Sequence, residues 1–148
     1  MSVGALINTM LDEADLIDEL LEAVVEQRES VKNSDHAAMQ SLMKRVQDLA
    51  FRIQALENKR AGIAETLSKE LGCEPNISAL SLVIPENERA LFTGAGERLG
   101  HSVFALKSEM AILSGLIEHN ERFSAMLLSE WRRLDTDFTS SGGLDFKG

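Results

Sequence analysis

Eight carboxylates, Asp12, Glu13, Asp15, Asp18, Glu19, Glu22, Glu26 and Glu29, fall within the first 30 residues against Arg28 alone. So dense a run invites a metal or acid-base site. No Glu-x-x-His occurs, however, the spacing that points both residues inward from one helix of a di-iron bundle, so the run reads as a solvated helix face. The single Cys73 cannot form an internal disulfide or a thiolate metal cluster, and with Glu74 beside it and no Lys, Arg or His nearby it reads as an ordinary thiol. GAGERLG, residues 94–100, resembles a phosphate-binding loop only superficially, because no strand precedes it and its glycines are spaced G-x-G-x-x-x-G. His101 would suit a phosphotransfer module only with Lys three residues later and Gly after it, and here the next lysine is Lys107. Asn76-Ile77-Ser78 matches a glycosylation sequon by composition alone. No Ser or Cys stands in a nucleophile elbow, and the histidines are scattered. No catalytic, cofactor or metal residue is therefore assigned.

The elements that carry these residues follow from composition. Two prolines, no tyrosine and abundant Ala, Leu, Glu and Met lean toward helix. A chain of 148 residues fits one domain with its own core. The net charge of −9 opposes binding to nucleic acid or to anionic membrane surfaces, both of which call for clustered Lys and Arg. No run approaches the ~20 apolar residues of a membrane span. The third residue already begins an amphipathic helix containing Asp and Glu rather than a signal peptide, and a cytoplasmic protein is expected.

Val3, Ile7, Met10, Ala14, Ile17, Leu21, Val24, Arg28 and Val31 recur at spacings of four and three, which predicts a first helix over about 3–32. Asn33-Ser34-Asp35 makes the turn and caps the next helix. That helix, about 35–71, carries Met39, Leu42, Val46, Leu49, Ile53, Leu56, Arg60, Ile63 and Leu67 and ends at Gly72. A connection this short forces antiparallel packing. Between 35 and 71 six basic side chains, Lys44, Arg45, Arg52, Lys59, Arg60 and Lys69, face five acidic ones, so flanking positions complement the acidic first helix. Residues 72–85 break the period and form an apolar cover over one bundle end.

After Pro85 a third, very long helix is expected over about 86–138, with a seam at Phe92, Leu99, Val103, Leu106, Met110, Leu113 and Ile117. The seam phase continues through Gly94–Gly100, so the glycines either bend the helix or admit a close neighbour. Further on, Asn120 and Ser124 place polar groups in the seam as a register device. The apolar residues of ERFSAMLLSEWRRL, 121–134, do not keep to one face: Leu127, Trp131 and Leu134 continue the main seam, whereas Phe123 and Met126, with Ile112 and Leu116, lie off it and form a second stripe. Either the first helix, through Leu16 and Leu20, covers that stripe, or a foreign amphipathic helix does. The expected architecture is all-α: an antiparallel three-helix bundle, or a helical hairpin with a long C-terminal helix, as a single domain over 1–138 with a flexible tail at 139–148.

The first half, LIDELLEAVVEQRESVKNSDHAAMQSLMKRVQDLAFRIQALENKRAGIAETL, and the stretch LSGLIEHNERFSAMLLSEWRRL together resemble the FlgN family of flagellar type III export chaperones. The resemblance implies a non-enzymatic protein that binds the C-terminal helical segments of hook-filament junction proteins, FlgK- and FlgL-like, and delivers them to an export gate component. In that family the C-terminal region engages the client, and Phe123 to Leu134 match it here. The client-binding residues expected are Ile112, Leu116, Phe123, Met126, Leu128 and Trp131. TSSGGLDFKG, 139–148, departs from the amphipathic C-terminus common in the family and leaves only Leu144 and Phe146 as anchors. Two other classes stay open: a coiled-coil adaptor that uses the same stripe to form a homodimer, and a small phosphotransfer module.

Overall fold

The computed structural model describes residues 2–118 and 132–133. Four helices follow in order, α1 (Val3–Lys32), α2 (His36–Leu71), α3 (Ile77–Val83) and α4 (Glu86–Glu118), and the described residues contain no strand. Side-chain caps start three of them. The N–H groups of Ala5, Ala38 and Ala79 donate to Ser2 Oγ at 3.1 Å, Asp35 Oδ1 at 3.1 Å and Asn76 Oδ1 at 2.7 Å. Each bond satisfies a backbone donor that the first turn leaves without a helical partner. Asn76, the acceptor of the apparent sequon, is thus a helix cap. At the far end of α2, Gly72 takes the left-handed conformation at φ 71° and returns its N–H to the Ser68 carbonyl, a geometry that a Cβ would strain.

α1 is the central element. It packs along α2 on one side and along α4 on the other, while α2 and α4 make no comparable contact among the described residues. Directions follow from side-chain pairs. Glu26 meets Arg45 while Glu13 faces Glu57, so α1 and α2 are antiparallel. Asp18 meets Arg98 while Arg28 meets Glu109, so α1 and α4 run parallel.

Two neighbours explain why the single seam expected for the first helix is too narrow. Ile7, Leu21 and Arg28 are only half-buried, whereas Leu6, Glu13, Leu20 and Gln27, each seven residues after the last, are enclosed. At 100° per residue the buried positions of α1 span about 200° of its circumference, against about 140° for α2 and about 120° for α4. The α4 seam holds throughout: Phe92, Leu99, Val103, Leu106, Met110, Leu113 and Ile117 are all buried.

α3 is the apolar cover. Leu80 and the following Ile84 are fully enclosed, and the helix leans on α4 and α2. α4 passes through Gly94–Gly100 as helix, so no phosphate-binding loop forms there. Close approach is the reason for one glycine: a Cβ on Gly96 would lie 3.2 Å from Ile77 Cγ2, whereas a Cβ on Gly62 in α2 would meet nothing within 4 Å. Gly62→Ala is accordingly expected to stabilise the protein by roughly 0.5–1 kcal/mol through helix propensity. Gly96→Ala is expected to gain less than half of that or to lose stability, because Ile77 must shift. Urea unfolding of the two variants checks the difference.

α4 is described as far as Glu118; residues 119–131 and 134–148, which include most of the last part of the helix expected to 138 and the polar layer at Asn120 and Ser124, lie outside the described residues. Arg132 Nη2 stands 3.2 Å from Glu118 Oε1.

Candidate functional site

An unpartnered helix face is the feature that chemistry can use. On α4, the exposed positions between residues 93 and 112 are Thr93, Gly94, Glu97, His101, Phe104, Ser108, Ala111 and Ile112, among which Glu97 is the one Asp, Glu, Lys or Arg. The exposed face of α2, by contrast, surrounds its one large exposed apolar side chain, Phe51, with Lys44, Arg45, Asp48, Arg52, Lys59, Glu65, Lys69 and Glu70. Water solvates the α2 face readily. The α4 face offers it small side chains and two large apolar ones, Phe104 at 74% exposure and Ile112 at 47%. Gly94, Glu97, His101, Phe104, Ser108 and Ala111 follow spacings of three and four, so they form a second seam opposite the one buried against α1. Such a seam has room for a helix: Cβ atoms built on Gly94 and Gly115 would touch nothing within 4 Å.

The expected client-binding residues divide across this surface. Ile112 is exposed on it, and Leu116, one turn later, is half-buried against the core. Phe123, Met126, Leu128 and Trp131 lie outside the described residues. The residue that the sequence reading missed is Phe104. Its signal was present: stepping back from Ile112 by two turns reaches it, on the same side as Ser108. The neighbouring Val103 drew attention because it continues the core seam.

Beside this face runs the edge of α1. Arg98 Nη2 donates to Asp15 Oδ1 at 2.7 Å and to Asp18 Oδ2 at 3.1 Å, and the Ser102 hydroxyl donates to Asp18 Oδ1 at 2.6 Å. Arg28 pairs with Glu109 at 3.1 Å. Glu22 and Glu29 continue the Asp15–Asp18 edge at spacings of four and seven, which keeps all four carboxylates on the α4 side of α1. Complementation of the acidic helix thus comes largely from α4; the described ion pair from α2 to α1 is the exposed Arg45–Glu26 at 3.5 Å.

One carboxylate leaves the solvated face altogether, a correction to the reading of the acidic run. Glu13 is 0% exposed and is packed near Glu57 and Arg60, each at 2%. Arg60 holds Glu57 with two bonds, Nε to Oε2 at 3.0 Å and Nη2 to Oε1 at 2.7 Å. Neither oxygen of Glu13 has a hydrogen-bond partner while it is a carboxylate. A proton on Glu13 makes it a donor toward Glu57. Burial above all, then that bond and the negative charge of Glu57, push the Glu13 pKa far above the usual carboxylate range, against the opposing pull of Arg60. Protonated, the three groups sum to zero charge. The cluster is closed to any substrate and fixes how α1 lies against α2, as a polar layer in a helical seam does. No group of three or more His, Cys, Asp or Glu that could hold a metal occurs among the described residues, and none of their helices is long and apolar enough to cross a membrane.

A family model described as FlgN protein matches residues 1–142. No curated protein and no solved structure matches the chain.

Proposed function

Because the chain belongs to the FlgN family, a family of flagellar export chaperones and not of enzymes, we propose that it captures C-terminal helical segments of hook-filament junction proteins. In this reading it acts in the cytoplasm, keeps its FlgK- and FlgL-like clients from assembling early, and delivers them to an export gate component. The observation that carries the reading is the charge-poor outward face of α4 ending at Ile112. In sequence that face leads into Leu116, Phe123, Met126, Leu128 and Trp131, and an amphipathic client helix would bury its apolar side there. Specific interfaces bury roughly 800 Å² per partner, with most of the affinity in a few aromatic or Met contacts.

The test is Phe123→Ala combined with Met126→Ala. The pair is expected to weaken binding of a purified junction protein at least tenfold, by calorimetry, with helicity by circular dichroism nearly unchanged. Affinity within twofold of wild type, or a large loss of helicity, would overturn the assignment of these residues to the client. A second reading, a self-associating adaptor, draws on the same observation, since Gly94, Ser108 and Ala111 would admit a second copy closely. It requires a stable dimer by light scattering together with no junction-protein binding.

A further inference from the structure

The chaperone reading places the client at the C-terminal end of α4 and beyond. The described surface extends the other way. From Ile112 the exposed stripe continues back over Ser108 and Phe104 to His101 and Gly94, about 27 Å of helix face, or five turns. Phe104 is the largest side chain on it, and no described element of the chain covers it.

The wall beside that stripe has a definite sign. From the pairs Asp18 with Arg98 and Arg28 with Glu109, positions on α1 and α4 at one level differ by about 80 residues in number. Glu22 therefore stands level with Phe104, and Glu29 with Ile112. Asp15 and Asp18 are held by Arg98, and among the described residues Glu29 pairs only with the exposed Lys32, at 3.7 Å. Glu22 has no ion-pair or hydrogen-bond partner among the described residues. A helix lying on α4 with its apolar side toward Phe104 and Ile112 would present one flank to these carboxylates. A basic flank gains there and an acidic one is repelled, which selects both the partner and its direction.

We propose that the outward face of α4 from Gly94 to Ile112, anchored by Phe104, receives a partner helix whose apolar stripe is bordered on one side by Lys or Arg, with those charges meeting Glu22 and Glu29 on α1. This rests on the chaperone reading and identifies which part of the described surface recognises the client and by what chemistry. A second copy of the chain fits less well, because its exposed α1 edge is as acidic as this one.

The experiment uses the full chain and a purified hook-filament junction protein, with affinity measured by calorimetry at low and high salt. Three proteins are compared: wild type, Phe104→Ser, and Glu22→Lys combined with Glu29→Lys. All three changed side chains are at the surface, and circular dichroism and unfolding confirm that the fold is kept. Phe104→Ser is expected to weaken binding at least tenfold at both salt concentrations. The charge reversal is expected to weaken it severalfold at low salt and to remove most of the wild-type salt dependence. Affinities within twofold of wild type for both variants, while Phe123→Ala with Met126→Ala still weakens capture, would overturn the extended face and leave the chaperone reading standing. No binding by wild type would overturn the chaperone reading itself. A wild-type dimer that Phe104→Ser converts to monomer without changing client affinity would assign the face to a second copy and overturn the proposal.

Discussion

Replacing Arg60 with methionine is expected to destabilise the protein by roughly 3–5 kcal/mol at neutral pH, the usual result of removing one partner from a buried ion pair. The side chain is almost completely enclosed, and its two bonds to Glu57 bring the one cation of the cluster against that carboxylate. Methionine fills much of the volume, so a large loss would report electrostatics rather than a cavity. Without the guanidinium, Glu57 and Glu13 share one apolar site, and at least one carboxylate must be buried without a cation or become protonated. Two controls separate these costs. Lowering the pH supplies protons, so the deficit of Arg60→Met should shrink in acid. Exchanging Glu57 and Arg60 together for leucine and methionine should recover most of the loss, because replacing a whole buried pair with apolar groups is often neutral. Urea unfolding of the single and double variants reads both; an Arg60→Met variant within about 1 kcal/mol of wild type would mean that water reaches the cluster.

The same cluster shows where sequence reasoning reached its limit. The α2 seam is largely legible because α2 buries a single arc: Met39, Val46, Leu49, Ile53, Arg60, Ile63 and Leu67 all point inward, while Leu42 and Leu56, also expected there, are half-buried. The α4 seam is legible for the same reason. α1 was read with one seam because the three-four rule scores one stripe, and a central helix needs two. Glu13 was hidden by its company, seven other carboxylates that do face water or the helix edge. The available signal was its phase. Leu6, Glu13, Leu20 and Gln27 make an unbroken heptad row, and a charged residue in step with leucines deserves to be treated as buried.

The outward face of α4 was half legible. Ile112 marks a stripe outside the core seam, and the aromatic and Met residues downstream give that stripe a stronger signal than Phe104 does upstream. Small residues were the obstacle: Gly94, Ser108 and Ala111 carry almost no hydropathy signal, so a docking seam built from them is visible only by what it lacks, namely charge. The question that the glycines of GAGERLG raised is answered through Gly96, whose missing Cβ lets Ile77 of α3 close on α4. Nothing local in the sequence shows which residue of a neighbouring segment will arrive there.

Glu13 makes stability depend on pH in a direction opposite to that of most carboxylates. An ordinary ion-paired acid has a depressed pKa in the folded state and loses its contribution as the pH falls. Glu13 is raised from 4.5 to about 10, so between those limits the folded protein binds a proton that the unfolded chain has released. Stability must then fall as pH rises through that window, by up to about 1.4 kcal/mol per pH unit from this group. Below about 4.5 both states are protonated and the dependence on this group disappears. Glu13→Gln tests the claim cleanly, because the amide keeps the shape and the donor toward Glu57 but cannot ionise. The variant is expected to match wild type near pH 5 and to exceed it increasingly from pH 6 to 8, as followed by urea unfolding at each pH. All other titrating groups are common to both proteins and cancel in the difference. Parallel stability curves for the two proteins across that range would show that Glu13 is ionised in the folded state, with its charge matched by a cation or by water at the α1–α2 seam.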